Sequence, residues 1–257
     1  MELLIVCLAA LIASSLTLFS GFGLGTLMMP VFALFFPLEL AISMTAMVHL
    51  ANKLFKLILF GKKADISVLF KFGLPAMFAA IFGALILFNL SGLAPLFTYQ
   101  AFGSELEVSA LKLVIGLLIL LFVGLEFSKR LTSVKLDKKW LPVGGIISGF
   151  FGGLSGHQGA FRSMFLIKAG LNKEAFIATG VVLAAIVDTS RLVIYGFDLS
   201  TAQHQIDWTM VISATLSAFI GVVVGNQLLT KITMRSIQLM VSVLLSIVAV
   251  GLISGIL

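Results

Sequence analysis

"GFFGGLSGHQGAFRSMFLIKAG", Gly149–Gly170, breaks an otherwise apolar chain with closely spaced glycines and with Ser155, His157, Gln158, Arg162, Ser163 and Lys168. In a bilayer, polar or irregular backbone persists only where protein buries it or where it lines a watery cavity. A counterpart, "SLTLFSGFGLGTLMMPVFALFF", Ser15–Phe36, lies a near-constant 135 residues upstream. Short, Gly-broken segments in corresponding positions of two halves point to the binding site of a secondary transporter.

The composition fits that reading. The 257 residues are 60% hydrophobic and 11% charged, against about 25% charged in soluble domains. Apolar blocks recur along the chain, most of them approaching the ~20 residues that span a bilayer. The net charge of +6 is no nucleic-acid signal, because the cations sit in short loops rather than on one basic face. Cys7 is alone, which excludes a disulfide framework and a thiolate metal cluster. There is no H-E-x-x-H, no Walker loop and no Cys/His cluster, so neither cofactor nor metal is expected. "MELLIVCLAALIASS" lacks the cationic start of a secretory signal and reads as a retained first membrane segment.

Ten apolar segments are expected, at about 2–20, 23–36, 39–60, 66–90, 109–128, 139–155, 158–170, 174–195, 207–230 and 235–256. All are read as helices, giving an all-α polytopic membrane protein, since open strands cannot span lipid. Lys62 and Lys63 follow the third segment, Lys129, Arg130, Lys135, Lys138 and Lys139 the fifth, and Lys231 and Arg235 the ninth; Lys168 and Lys173 bracket the end of the seventh. Glu2, Glu39, Glu105, Glu107, Asp198 and Asp207 occupy the intervening loops. The positive-inside rule then puts the basic loops in the cytoplasm and both termini on the outer face of an inner membrane. It also makes the second half run opposite to the first.

An inverted five-plus-five repeat follows, with 1–128 and 139–257 as its halves and 129–138 as a cytoplasmic linker. At the 135 offset Ser20 meets Ser155, Gly21 meets Gly156, Met29 meets Met164 and Glu39 meets Glu174. Segments one and two, and six and seven, are expected to form hairpins whose tips, "SGFGLG" and "SGHQG", meet near the midplane. Two thin full crossings would give the same loop sidedness. For Gly83, Gly221 and Gly225 close helix packing is the simpler account; for the tips the expectation is a site.

A helix N-terminus at each tip would favour an anion. The expected substrate contacts are Ser20, Gly21, Gly23 and Gly25 from the first tip, Ser155, Gly156, His157, Gln158 and Gly159 from the second, and Arg162 one turn on. Arg162 offers a permanent charge and a planar fork; the alternative is a structural pair to a Glu or a carbonyl. His49, Asn52, Lys53 and Lys56 share one face of segment three, and Asn52 and Lys53 join the substrate set. Segment eight carries Asp188 and Arg191. At the 135 offset Lys53 falls opposite Asp188 and Lys56 opposite Arg191. Intramembrane charge is costly and marks a functional path by default. A Lys53–Asp188 ion pair is therefore expected, with Asp188, His49, Arg191 and Lys56 as coupling or pairing groups. Snorkelling is the competing account of Lys56 and Arg191, which lie near helix ends.

Gly153-Leu154-Ser155-Gly156 also fits the Gly-x-Ser-Gly around an intramembrane protease nucleophile. Such a serine needs a histidine base in reach; His157 shares its turn and no later membrane helix carries one.

Over nearly its whole length the chain resembles the TauE/SafE family, the sulfite exporter or TSUP-type permeases. The likeness rests on "SGFGLGTLMMPVFALFFPLELAISMTAMVHLANKLFKLILFG" (20–61), on "GFFGGLSGHQGAFRSMFLIKAGLNKEAFIATGVVLAAIVDTSRLVIYG" (149–196) and on "GNQLL" (225–229). Many relatives have a run of glycines where this chain has Gly21-Phe22-Gly23-Leu24-Gly25. The resemblance implies secondary transport of sulfite, thiosulfate or organosulfonates; the residues by themselves indicate only a small anion. The expected partners are that anion, coupled protons and the lipid bilayer, with an anion channel as the alternative.

Overall fold

The computed structural model describes residues 1–20, 24–60, 63–101, 103–127, 137–167, 169–202, 206–228 and 234–257. Within them each of the ten apolar segments is helical. In chain order these are α1 (Glu2–Ser20), α2 (Leu24–Ala33), α3 (Leu38–Phe60), α4 (Ile66–Ser91), α5 (Ala110–Phe127), α6 (Leu141–Ser155), α7 (Gly159–Ile167), α8 (Lys173–Ala202), α9 (Trp208–Leu228) and α10 (Met234–Ile253). The stretches Leu38–Leu59, Ile66–Ser91, Glu174–Tyr195 and Trp208–Gly225 are long and apolar enough to cross a membrane. By contrast α2 has 10 residues and α7 has 9. At about 1.5 Å per residue neither covers more than about half of a ~30 Å hydrocarbon core.

The all-helical expectation needs one correction. Between α4 and α5, β1 (Phe97–Ala101) and β2 (Ser104–Val108) form an antiparallel hairpin that pairs Thr98 with Glu107 and Gln100 with Glu105. Gly103 turns it at φ 78. The rule that forbids open strands applies to backbone facing lipid; this hairpin lies past the end of α4, and its exposed edges are free of that constraint. The Tyr99 hydroxyl donates to the Ser254 carbonyl and seats the hairpin against the end of α10.

Close backbone contact organises the helices. A Cβ at Gly145, Gly149 or Gly153 of α6 would lie 2.2, 2.1 or 2.0 Å from the carbonyl oxygens of Phe72, Ala76 and Ala80 on α4. From the other side, a Cβ at Gly83 would lie 2.2 Å from the Phe150 carbonyl oxygen. The three α6 glycines recur every four residues, so they form one stripe down the helix. A second pair repeats the device: a Cβ at Gly221 or Gly225 of α9 would meet the Leu11 or Ser15 carbonyl of α1 at 2.4 or 2.7 Å. The packing role expected for Gly83, Gly221 and Gly225 is thus what the structure gives them. The Ser15 hydroxyl reinforces the second pair by donating to the Gly221 carbonyl at 2.9 Å.

Further pairings complete the bundle. Helices α3 and α8 cross each other, α3 also packs on α9 and α8 on α4, and α5 lies along α10. The loops sort to two ends. At one, Lys63 pairs with Glu174, the Asp65 amide donates to Thr179 Oγ1 at 2.9 Å, and Lys138 lies beside Gly170. At the other, the β-hairpin meets the C-terminal residues. Most of the linker at 129–138 lies outside the described residues.

Gly149→Ala is expected to destabilise the protein by about 1–3 kcal/mol, because its methyl meets backbone that cannot rotate away. Gly124 of α5 has nothing within 4 Å of an added Cβ, so Gly124→Ala is expected to be neutral or stabilising by up to ~1 kcal/mol. Thermal unfolding of the two purified variants in detergent checks both.

Candidate functional site

The break between α6 and α7 is built by its own sequence. Gly156 takes a left-handed φ of 78 and its amide returns to the Gly152 carbonyl at 3.0 Å, a helix end that favours glycine. The Gln158 amide donates to the Gly156 carbonyl at 3.1 Å, and the Gln158 carbonyl accepts from the Arg162 amide at 3.0 Å and from Ser148 Oγ at 3.1 Å. Gln158 therefore opens α7 and aims its side chain inward. Ser155, Gly156, His157, Gln158 and Gly159 are all buried.

Asp188, fully buried at the middle of α8, is the point on which the site converges. Its Oδ2 lies 2.6 Å from His49 Nδ1 and its Oδ1 lies 3.1 Å from Arg191 Nη2. Both contacts are close but poorly aligned as hydrogen bonds, so their attraction is chiefly that of charge and dipole. Gln158 Nε2 donates to Asp188 Oδ1 at 3.2 Å, while Gln158 Oε1 accepts from Arg162 Nη1 at 3.1 Å. One amide side chain thus bridges the carboxylate to Arg162. Arg191 also presses on the tip: a Cβ at Gly156 would lie 2.6 Å from its Nη1.

The expected Lys53–Asp188 contact is replaced by His49–Asp188. Equivalent positions on two crossing helices face each other only where the helices cross, and His49, one turn from Lys53 on the same face of α3, is the residue level with the carboxylate. Lys53 is nonetheless interior and feels the charge of Asp188. Lys56 and Arg191 are 2% and 1% exposed, which excludes snorkelling. Arg162 meets Gln158 rather than a Glu. Among the described residues, four cations, Lys53, Lys56, Arg162 and Arg191, are buried against one buried carboxylate, Asp188.

The first tip falls largely outside the described residues: Gly21 and Gly23 lie there, and of Ser20 only its place at the end of α1 is described. Gly25, in the first turn of α2, is buried against His49 and Thr45. Gly25, His49, Asp188 and Gln158 therefore form a short chain of contacts from one broken helix to the other. Asn52 accepts from Ser14 Oγ at 3.2 Å, leaving its buried Nδ2 unpartnered.

His157 stacks on Phe122, with ring centroids 5.4 Å apart and planes 5° from parallel. Its Nδ1 lies 2.9 Å from the Ser155 carbonyl oxygen and 3.2 Å from Ser155 Oγ. A carbonyl only accepts, so Nδ1 carries the proton and cannot take one from the hydroxyl. Ser155 Oγ itself donates to the Phe151 carbonyl at 3.1 Å. This is not the arrangement of a serine activated by a base.

Ser14, Thr45, Ser148, Phe122 and Tyr195 were not expected at the site. Tyr195, one turn after Arg191, donates to the Gly153 carbonyl at 2.8 Å and closes the tip from behind. A buried tyrosine needs such a partner, and its i,i+4 spacing to Arg191 was a usable signal. Ser14, Ser148 and Thr45 carried none, being single small polar residues in apolar helices.

Residues 6–252 match the family described as sulfite exporter TauE/SafE. The chain belongs to that family. It is accordingly a membrane protein of a transporter family tied to sulfur-related anions. No curated protein and no solved structure matches it. Set within this TauE/SafE chain, the buried cations and the broken helix lie at the same place, and both suit an anion.

Gly156→Ala in this TauE/SafE protein is expected to cost about 1–2 kcal/mol in backbone strain, with a further loss from the clash with Arg191. A double-mutant cycle with Arg191→Ala is expected to be non-additive, because that truncation removes the atom the new methyl meets. Apparent melting temperatures of the two single variants and the double variant measure the coupling.

Proposed function

We propose that the protein is a secondary transporter of a small sulfur-containing anion (sulfite, thiosulfate or an organosulfonate), held at the α6–α7 break and moved by alternating access. The observation that carries this reading is the excess of buried cations over carboxylate beside a helix N-terminus. Unpaired charge is expensive in a low-dielectric interior, and an arriving anion relieves it. Arg162 is the main contact: Gln158 holds one edge of its guanidinium and leaves the rest of the fork for oxygen atoms. Lys53, Asn52, Ser155, His157, the backbone of Gly156 and Gly159, and the first tip, Ser20, Gly21, Gly23 and Gly25, complete the lining.

An inverted repeat supports the mechanism. Helix α4 packs on α6 as α1 packs on α9, α8 on α4 as α3 on α9, and α3 and α5 each pack on the helix five places on, α8 and α10. Exchanging each helix with the one five places on leaves this pattern unchanged, as a pseudo-twofold requires. With nine residues in α7 and its start against the middle of α8, a re-entrant hairpin tip near mid-depth fits better than a thin full crossing. Lys63, paired with Glu174, and Lys138, beside Gly170, lie at one end, and by the positive-inside rule that end is the cytoplasmic one in this reading, with both termini outside an inner membrane.

Counterflow of labelled sulfite or thiosulfate in proteoliposomes tests the transport reading; a flux that does not saturate would favour a channel. Arg162→Ala is expected to weaken anion binding by about ten- to a hundredfold, since charge-assisted hydrogen bonds contribute roughly 1.5–3 kcal/mol. Arg162→Lys recovers part, lacking the planar fork. Unaltered affinity in a well-folded Arg162→Ala protein overturns the contact.

Asp188, His49 and Arg191 form the coupling group in this reading. Asp188→Asn is expected to abolish the dependence of transport on a proton gradient while leaving anion exchange measurable. Gradient-driven uptake that matches the wild type would remove Asp188 from coupling.

A further inference from the structure

Resting on that transport reading, the arrangement of the cations narrows the substrate. Asp188 is already met by Arg191, by His49 and by Gln158. Its contacts are therefore made within the network, and Arg191 is its direct ion-pair partner. Lys53, Lys56 and Arg162 remain, and among the described residues none of the three has a carboxylate within 4.0 Å. They are 5%, 2% and 5% exposed.

The three also converge. Lys53 and Lys56 are one turn apart on α3 and share a face. Arg162 reaches the same face of α3 from α7 through Gln158, which joins its Nη1 to Asp188 Oδ1, while Asp188 Oδ2 lies 2.6 Å from His49, one turn before Lys53; the Arg162 Nε passes 3.7 Å from a Cβ built at Gly180 of α8. Gly180 carries no side chain, so α8 presents bare backbone on that side. Three cationic side chains thus face one region, with the neutral Gln158 amide beside Arg162. Like charges cluster in a protein interior where a counter-charge is to be supplied from outside.

We infer that Lys53, Lys56 and Arg162 form a cradle for a doubly charged oxyanion, and that the protein selects dianions such as thiosulfate or fully deprotonated sulfite over singly charged sulfonates. A monoanion leaves two of the three charges uncompensated in the interior; a dianion leaves one, and its several oxygens reach donors on both α3 and α7 at once. Lys56, in this account, is a direct substrate ligand that sets the charge preference.

The test is direct binding to the purified full-length protein of thiosulfate, a dianion, and methanesulfonate, a monoanion of comparable size, with counterflow of each in proteoliposomes. Wild-type protein is expected to bind thiosulfate at least ~10-fold more tightly, the scale of one charge-assisted contact. Lys56→Gln is expected to erase most of that ratio, by weakening thiosulfate about tenfold while changing methanesulfonate by less than about threefold. Lys53→Gln provides the same reading where Lys56→Gln does not fold, and the wild-type ratio needs no variant. Equal wild-type affinities, or a Lys56→Gln change of the same size for both anions, overturn the dianion cradle and leave anion transport standing. Neither anion binding nor exchanging would instead overturn the transport reading itself.

Discussion

A single carboxylate holds the centre of this molecule together. Asp188 lies where α3, α8 and the α6–α7 break meet, and it is the one negative charge among four buried positive ones in the described residues. Without it, His49, Arg191 and Gln158 would have nothing to converge on. Removing one partner of a buried charge network leaves the others uncompensated, a penalty of about 3–5 kcal/mol. Its neighbours accordingly divide the work. Arg191 secures the tip at Gly156, His49 reaches toward the first broken helix through Gly25, and Gln158 passes the network on to Arg162.

That centre exists only because the surrounding helices approach to backbone contact. The α6 glycines let α4 come close enough for carbonyl oxygens to occupy the space a side chain would fill. Lipid gives helices no hydrophobic reason to associate, so tight van der Waals contact has to supply the attraction. The same contact fixes the position of the α6 C-terminus against α4, and hence that of Gly156 and Gln158. Gly225 and Ser15 do likewise for the end of α1.

Much of this was legible in the sequence because membranes restrict the choices. The ten helices follow from apolar length, and the break at Gly156–Gln158 from glycine and polar residues in an apolar run. The interior location of Lys53, Lys56, Arg162, Asp188 and Arg191 follows from the cost of charge in lipid. Partner choice was not legible. The 135-residue offset aligned Lys53 with Asp188, yet contact depends on where two helices cross, and that is set by side-chain volumes no offset encodes. The β-hairpin at Phe97–Val108 was not legible, because apolar length marks spanning segments and says nothing of short strands between them. Ser14 and Thr45 were invisible, since a lone hydroxyl in an apolar helix looks the same whether it bonds its own backbone or a neighbour.

The pairing of α1 with α9 has a consequence for how the chain is made. Ser15 and Gly221, which share a hydrogen bond, are 206 residues apart, and the backbone contact at Leu11 and Ser15 is made with the same distant helix. Helix α1 therefore waits in the membrane with that small-residue face uncovered until α9 has been synthesised.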